Sequence, residues 1–149
     1  MVEGDDGVTH INIYSKAKTE LGKWLSNFAD CGSLSLPEGN FRTVEGYWMF
    51  LKTRDERFKT LNGFECKKLG QSLKSDVEVD EIFREKIKNA IDVKLRNNSS
   101  MSKALADSDL PLTHYYQYGS KRVDAGYTWI LWHVEDRRKL LKQYYKINE

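Results

Sequence analysis

Thr43-Val44-Glu45-Gly46-Tyr47-Trp48-Met49-Phe50-Leu51-Lys52 is the stretch on which the fold reading turns. Before it, Gly32 to Gly39 is turn-rich, with a short alternating strand at Ser33-Leu34-Ser35-Leu36. From Thr43 the apolar period becomes helical: Val44, Tyr47, Trp48 and Leu51 share one stripe, and Thr43 is a residue type that caps a helix start. Toward the C-terminus the same period predicts a short helix over Phe64–Leu73. A longer one runs from about Asp80 to Arg96, with Ile82, Phe83, Ile87, Ala90, Ile91 and Leu95 on its apolar side. A further helix is expected over Ser100–Ala106. Leu112 to Tyr118 reads as a strand before a turn at Gly119-Ser120. The last helix starts near Gly126 and keeps Tyr127, Ile130, Leu131, Val134, Leu141 and Tyr145 at three- and four-residue spacing. Toward the N-terminus, Ile11-Asn12-Ile13-Tyr14 alternates as a short strand. The expectation is an α+β fold, mainly helical, with a few short strands.

At 149 residues the chain is one domain's worth, and residues 1–149 are expected to form a single compact domain. Apolar residues at 40% and aromatics at 12% suffice for a packed core, which excludes disordered and collagen-like classes. No apolar run reaches the roughly 18 residues of a membrane span, so no membrane partner is expected. The start, Met1-Val2-Glu3-Gly4-Asp5-Asp6-Gly7, is acidic and unlike a signal peptide; residues 1–9 are expected to be flexible. Two lone cysteines, Cys31 and Cys66, fit a reducing cytoplasm better than a disulfide framework. The net charge of +2 hides blocks: residues 41–75 carry 8 basic and 4 acidic groups, and residues 112–149 carry 7 and 4. Such blocks suit phosphates if they form a local positive surface, and are ordinary solvated helix faces if they do not.

The sequence lacks GxxxxGK[ST], GxGxxG and GxSxG. The three histidines, His10, His114 and His133, have no HExxH spacing and the cysteines form no CxxC pair, so neither a metal nor another cofactor is expected. Catalysis would then rest on carboxylates, lysines and aromatics. On a helix, Glu45 and Lys52 return to one side, two turns and about 10 Å apart, with Trp48 and Met49 between them as a floor on which a flat ring can stack. The plainer reading is an amphipathic helix with Glu45 near its positive end. In Gly22-Lys23-Trp24-Leu25-Ser26-Asn27-Phe28, Ser26 and Asn27 beside aromatics suit a base or sugar edge, or simply a turn. In Lys121-Arg122-Val123-Asp124-Ala125-Gly126-Tyr127-Thr128-Trp129, basic groups, an acid and aromatics converge at a helix start that can take an anion. The alternative is a strand-to-helix turn in which Asp124 satisfies the backbone.

Taken in order, these segments resemble the YbiA-like NADAR superfamily, whose name refers to NAD and ADP-ribose. Tyr14-Ser15 with Gly22 and Leu25-Ser26-Asn27-Phe28 is similar to the family's "FYS…G…SNF". Thr43-Val44-Glu45-Gly46-Tyr47-Trp48 through Lys52 is similar to "TVEHY…QK", and Glu65-Cys66-Lys67-Lys68-Leu69-Gly70-Gln71 to "AKxLGR". A fourth block spans Phe83 to Leu95 and His114, and a fifth contains Asp124, Gly126 and Trp129, so the resemblance covers about residues 11–138. Gly46 stands where the family commonly has histidine and Gln71 where it has arginine. The family's glycine-rich stretch before the last helix is shortened to Tyr118-Gly119-Ser120-Lys121-Arg122.

The resemblance implies a compact, mainly helical fold and N-glycosidase chemistry on ribosyl compounds. Some members act on riboflavin-pathway intermediates. Others remove ADP-ribose from guanine in nucleic acid, some beside toxin systems that add it, which places the reaction in a bacterial or phage-infected host cytosol as repair or counter-defence. It implies Glu45, Lys52 and Asp124 as catalytic residues: Glu45 to stabilise charge at C1′ or handle the attacking group, Lys52 to form a Schiff base as one route, Asp124 as a second acid. Trp48 and Trp129 would stack on base or sugar; Ser26, Asn27 and Phe28 would contact ribose or base; Lys67, Lys121 and Arg122 would hold phosphate. The first expectation is an ADP-ribosylhydrolase acting on modified nucleobases in DNA or RNA, as a monomer. The alternatives are a small-molecule N-glycosidase on riboflavin-pathway or NAD-like nucleotides, and a non-catalytic binder of ADP-ribose or nucleic acid.

Overall fold

In a computed structural model, which describes residues 3–148, Thr43 Oγ1 accepts the backbone N–H of Gly46 at 2.8 Å and opens helix α2 (Val44–Thr53). That bond satisfies one of the donors every helix start leaves without a partner. The helix stops at Arg54, whose backbone is left-handed (φ 60°) and whose N–H returns to Phe50 O at 2.7 Å.

The chain forms two compact units, residues 27–97 and residues 3–26 with 98–148. The first is built around α2. Ahead of it, β2 (Leu34–Leu36) and β3 (Gly39–Phe41) form an antiparallel hairpin. After it come a 3-10 turn (Glu56–Lys59), α3 (Gly63–Gln71) and α4 (Glu81–Asn97), with α3 and α4 both packing on α2. Asn62 and Glu65 close a reciprocal capping box at the start of α3. Leu34, Phe41, Val44, Tyr47, Phe58 and Ile87 are essentially fully buried, and side chains of this size contribute about 1.5–3 kcal/mol each. Ile82, expected on the apolar side of α4, is instead 69% exposed; Phe83, one position on, faces Trp48.

In the second unit β1 (Ile11–Asn12) runs parallel to β4 (Leu112–Thr113), with Ile11 opposite Leu112. Helix α1 (Glu20–Leu25) packs on α5 (Ser99–Asp107), and α5 on α6 (Thr128–Ile147). The single strand expected over 112–118 is two. Buried Asn12 makes the break at His114: its Oδ1 accepts the Tyr115 N–H at 3.0 Å and its Nδ2 donates to Tyr115 O at 3.0 Å. One amide side chain thus replaces a ladder rung. Beyond it, β5 (Tyr115–Tyr118) is free to turn at Gly119 (φ 58°) and pair with β6 (Lys121–Asp124).

Helix α1 and strands β3 and β6 did not stand out in the sequence. Helix α1 has six residues, capped by Thr19, and contains Gly22 because β1 passes there: a Cβ on Gly22 would lie 2.3 Å from Asn12 O. Lys121 to Asp124, read as a turn into a helix, is a paired strand. The last helix begins at Thr128 rather than near Gly126, whose left-handed backbone (φ 79°) lies outside the helical region. Within the segment expected to be flexible, Asp6 is buried and accepts the N–H groups of Asn12 at 2.9 Å and Lys18 at 3.0 Å; Met1 and Val2 lie outside the described residues.

Candidate active site

The start of α2 puts Glu45 in its first turn, where the helix dipole favours a carboxylate and its backbone N–H has no partner inside the helix. That N–H donates to Asn27 O at 2.9 Å, so the Asn27-Phe28 segment is pinned to the helix start. Phe28 continues the contact by lying on Gly63 at the start of α3, where a Cβ would be 2.7 Å from it, and by meeting the exposed Phe64 edge-on at 5.1 Å. Burial lifts the Glu45 carboxyl to a pKa of about 7, while the Lys67 ammonium of α3 pulls it down. A glutamic acid with that pKa exchanges a proton near neutrality, which an ordinary surface glutamate does not.

Gly46 explains itself in the same corner. A Cβ there would lie 2.6 Å from Phe58 O and 3.3 Å from the Cys66 Sγ. Where the resembled family commonly carries histidine, this chain has closed the space with the 3-10 turn and α3. Cys66 is fully buried and its thiol is pushed up to about 11, first by burial and then by the neighbouring Glu45. It is a packing residue.

Lys52, half-buried, sits in the last turn of α2, and its carbonyl accepts the Ser75 hydroxyl at 2.5 Å. The helix thus supplies the Glu45–Lys52 spacing read from the sequence. The floor between them is less open than expected. Trp48 is only 8% exposed and meets Phe83 edge-on at 4.9 Å, and Met49 lies against Gly70 of α3. Asn27, Phe28, Glu45, Trp48, Lys52 and Lys67 all belong to the unit of residues 27–97; Lys67 is exposed.

Ser26, Lys121, Arg122, Asp124 and Trp129 belong to the other unit. Ser26 is buried at the C-terminal end of α1, its N–H on Lys23 O at 3.2 Å. Asp124 is exposed and accepts the Gly126 N–H at 2.7 Å, the turn-stabilising role of the plainer sequence reading. It also lines a cavity of about 160 Å³ with His114, Tyr127 and Thr128. His114 Nδ1 lies 2.7 Å from Ile13 O, which fixes the proton on Nδ1 and leaves Nε2 as an acceptor; burial holds this imidazole below the usual histidine range. Arg122 is half-buried, its guanidinium 4.8 Å from the Tyr115 ring centre. Lys121 is exposed beside the hairpin turn, and Trp129 is half-buried in the first turn of α6.

Two features escaped the sequence reading. Lys94 of α4 is 3% exposed, and burial brings its ammonium down to about 8, against a smaller upward pull from Cys31. The signal was present: Phe83, Ile87, Ala90 and Lys94 recur at four-, three- and four-residue steps, a lysine in an apolar stripe. The second is a group of cations, Lys16 and Lys18, brought to the same cavity as Arg122. Among the described residues no group of three or more His, Cys, Asp or Glu is placed to hold a metal ion, and no helix is long and apolar enough to cross a membrane.

This arrangement of elements matches a known structure. The NMR structure of the E. coli protein YbiA is similar to this chain with a TM-score of 0.67, covering 95% of this chain and 93% of that one at 16% identity. The fold is YbiA-like. It is α+β and mainly helical, as the sequence pattern predicted, and the resemblance read from the ordered blocks holds at the level of the fold. At this identity the YbiA likeness speaks for architecture alone. No protein-family model matches the chain, and no curated protein does.

Proposed function

We propose that the protein is an N-glycosidase that removes ADP-ribose from a modified nucleobase, guanine first, in DNA or RNA. The observation that carries this is Glu45: a half-buried carboxyl at a helix start, with a pKa of about 7, in a YbiA-like fold. Cleaving a C1′–N bond develops positive charge on the ribose and negative charge on the leaving base. A carboxyl titrating near neutrality serves both ends: ionised, it stabilises the ribosyl cation and orients water; protonated, it donates to the base.

Lys52 is assigned the covalent route. Its amine, giving up a proton as it attacks, bonds to C1′ while the C1′–N bond breaks and the base leaves with that proton; the ribose ring opens to the imine, and water hydrolyses the imine to free sugar and amine. Asp124 is the second acid, for ribose hydroxyls or a proton transfer. Asn27, Phe28 and Ser26 are assigned to base and sugar, Trp48 and Trp129 to stacking, and Lys67, Lys121 and Arg122 to phosphate. This reading takes residues 1–149 as one domain acting without a cofactor, as a cytoplasmic monomer that reverses a base modification in repair or counter-defence.

A second reading, hydrolysis of a free riboflavin-pathway or NAD-like nucleotide, is favoured by cavity size: about 160 and 240 Å³ suit groups of a small nucleotide. Incubation with an ADP-ribosylated guanine oligonucleotide and, separately, with free nucleotides decides. Free ADP-ribose from the oligonucleotide supports the first reading. Turnover of the free nucleotides alone replaces it with the second. Tight binding without product from either leaves a non-catalytic binder.

A further inference from the structure

We propose that the outer face of α6 is a docking surface for single-stranded nucleic acid. Apolar residues occur on both sides of this helix. Ile130, His133 and Val134 are buried, on the side by which α6 packs within the unit of residues 3–26 and 98–148. Trp132, Leu140, Tyr144 and Ile147 are instead half to four-fifths exposed. On a helix these four positions fall within about 120° of one another, so they form one stripe. A helix that packs on one side needs no apolar residues on the other, and an exposed stripe of this size marks a contact surface.

Charge says what covers it. From Arg137 to Asn148 the helix carries five cations and no acid. The helix dipole accounts for one of them, Lys146 in the last turn. Three others have structural partners: Arg137 pairs with Asp136 at 2.9 Å, Arg138 donates to Leu110 O at 2.7 Å, and Lys142 donates to Ala106 O at 2.6 Å and to Asp109 at 2.7 Å. Lys139 and Lys146 are exposed, and among the described residues neither ammonium has an ion-pair or hydrogen-bond partner. Trp132, Lys139 and Lys146 are seven positions apart, which sets them in one row at steps of about 10 Å. Leu140, Tyr144 and Ile147 run beside that row. Exposed rings suit unpaired bases and the two ammonium groups suit the phosphates between them, whereas a duplex hides its base faces. Asp136, between Trp132 and Leu140, interrupts the continuous apolar face that a lipid surface needs. A second copy of the helix packed on this face brings the same lysines together. The surface uses no residue assigned to the glycosidase site and does not depend on that reading.

The test titrates the full chain into an end-labelled oligothymidylate of about 12 nucleotides, read by fluorescence anisotropy at several chloride concentrations. A DNA hairpin duplex and vesicles containing phosphatidylserine are the parallel probes. The variants, all at exposed positions, are Lys139→Gln/Lys146→Gln, Trp132→Ala/Tyr144→Ala and, as a control that removes the same charge, Lys23→Gln/Lys74→Gln. The wild type is expected to bind the single strand with a Kd of about 1–100 µM and the duplex more weakly. Loss of the two lysines should weaken binding about 10-fold or more and make the slope of log K against log salt shallower by about 1.4. Loss of the two rings should weaken it about 10-fold or more and leave that slope unchanged. The control pair should stay within about twofold of wild type. No binding at about 1 mM, wild-type affinity in both α6 variants, or an equal loss in the control pair overturns the proposal. Duplex binding as tight as single-strand binding and indifferent to the rings also overturns it, as does uptake by vesicles without uptake by the oligonucleotide. A protein that binds the strand through this face and turns nothing over contradicts the glycosidase reading and leaves the surface standing. Turnover of a modified oligonucleotide with KM unchanged in both α6 variants does the reverse.

Discussion

The backbone N–H of Glu45 donates to the carbonyl oxygen of Asn27 at 2.9 Å. Eighteen positions apart in sequence, the two residues belong to separate motif blocks, and one hydrogen bond makes them neighbours. It pins the Asn27-Phe28 segment to the helix start that carries the half-buried Glu45, and Phe28 is itself held on Gly63.

The raised pKa of the Glu45 carboxyl makes stability depend on pH with a definite sign. Its folded pKa, about 7, lies above its ordinary value of 4.5, so the folded state binds the extra proton between those values. Stability from this group is present below about pH 4.5 and is lost as pH rises through about 7. Glu45→Gln, which keeps the neutral shape, should gain up to about 3 kcal/mol over wild type at pH 8 relative to pH 4. Urea denaturation at the two pH values measures this.

The tight corner at Gly46 predicts a cost for restoring the family's more common residue. Gly46→His must move Phe58 O or the Cys66 thiol, and Gly46→Ala already places a Cβ 2.6 Å from that carbonyl. Gly46→Ala should destabilise by about 1–3 kcal/mol and Gly46→His by more, measured by thermal melting.

How much of this was legible depended on how local the cause was. Thr43 announced α2 because cap and apolar stripe lie in one window, and Asn62 and Asn98 cap α3 and α5 in the same way. The break at His114 was not legible, because its cause is Asn12, about a hundred residues earlier. Gly22 hid α1, since the close approach that requires glycine is also tertiary. Of the candidate site, the Glu45–Lys52 spacing followed from helix geometry alone. Trp48 looked like an open platform, yet Phe83, 35 positions away, covers it. The Lys16–Lys18–Arg122 grouping needed the β5–β6 hairpin, which the sequence showed only as a strand and a turn.

Asn12 accordingly has a structural prediction of its own. Asn12→Leu fills the space but leaves the Tyr115 N–H and C=O without their partner in a buried site. The expected loss is about 2–4 kcal/mol, with faster hydrogen exchange at Tyr115 and the β5–β6 hairpin than at α2.

The covalent route is separable from the rest. Borohydride added during turnover should fix a ribosyl adduct on Lys52, identified by peptide mass, and Lys52→Ala should give none while losing at least about 100-fold in rate. Turnover with no adduct on any lysine removes the Schiff base and leaves an uncatalysed-by-lysine glycosidase centred on Glu45.

Glu45 is proposed as the proton-handling carboxyl of the reaction. The most direct measurement is the pH profile of kcat/KM for ADP-ribose release from an ADP-ribosylated guanine oligonucleotide, for wild type and Glu45→Gln. The expected wild-type profile has an inflection near pH 7, and the Glu45→Gln enzyme is slower by at least about 100-fold and lacks that inflection. A Glu45→Gln enzyme with a near-wild-type rate and the same inflection would contradict that assignment.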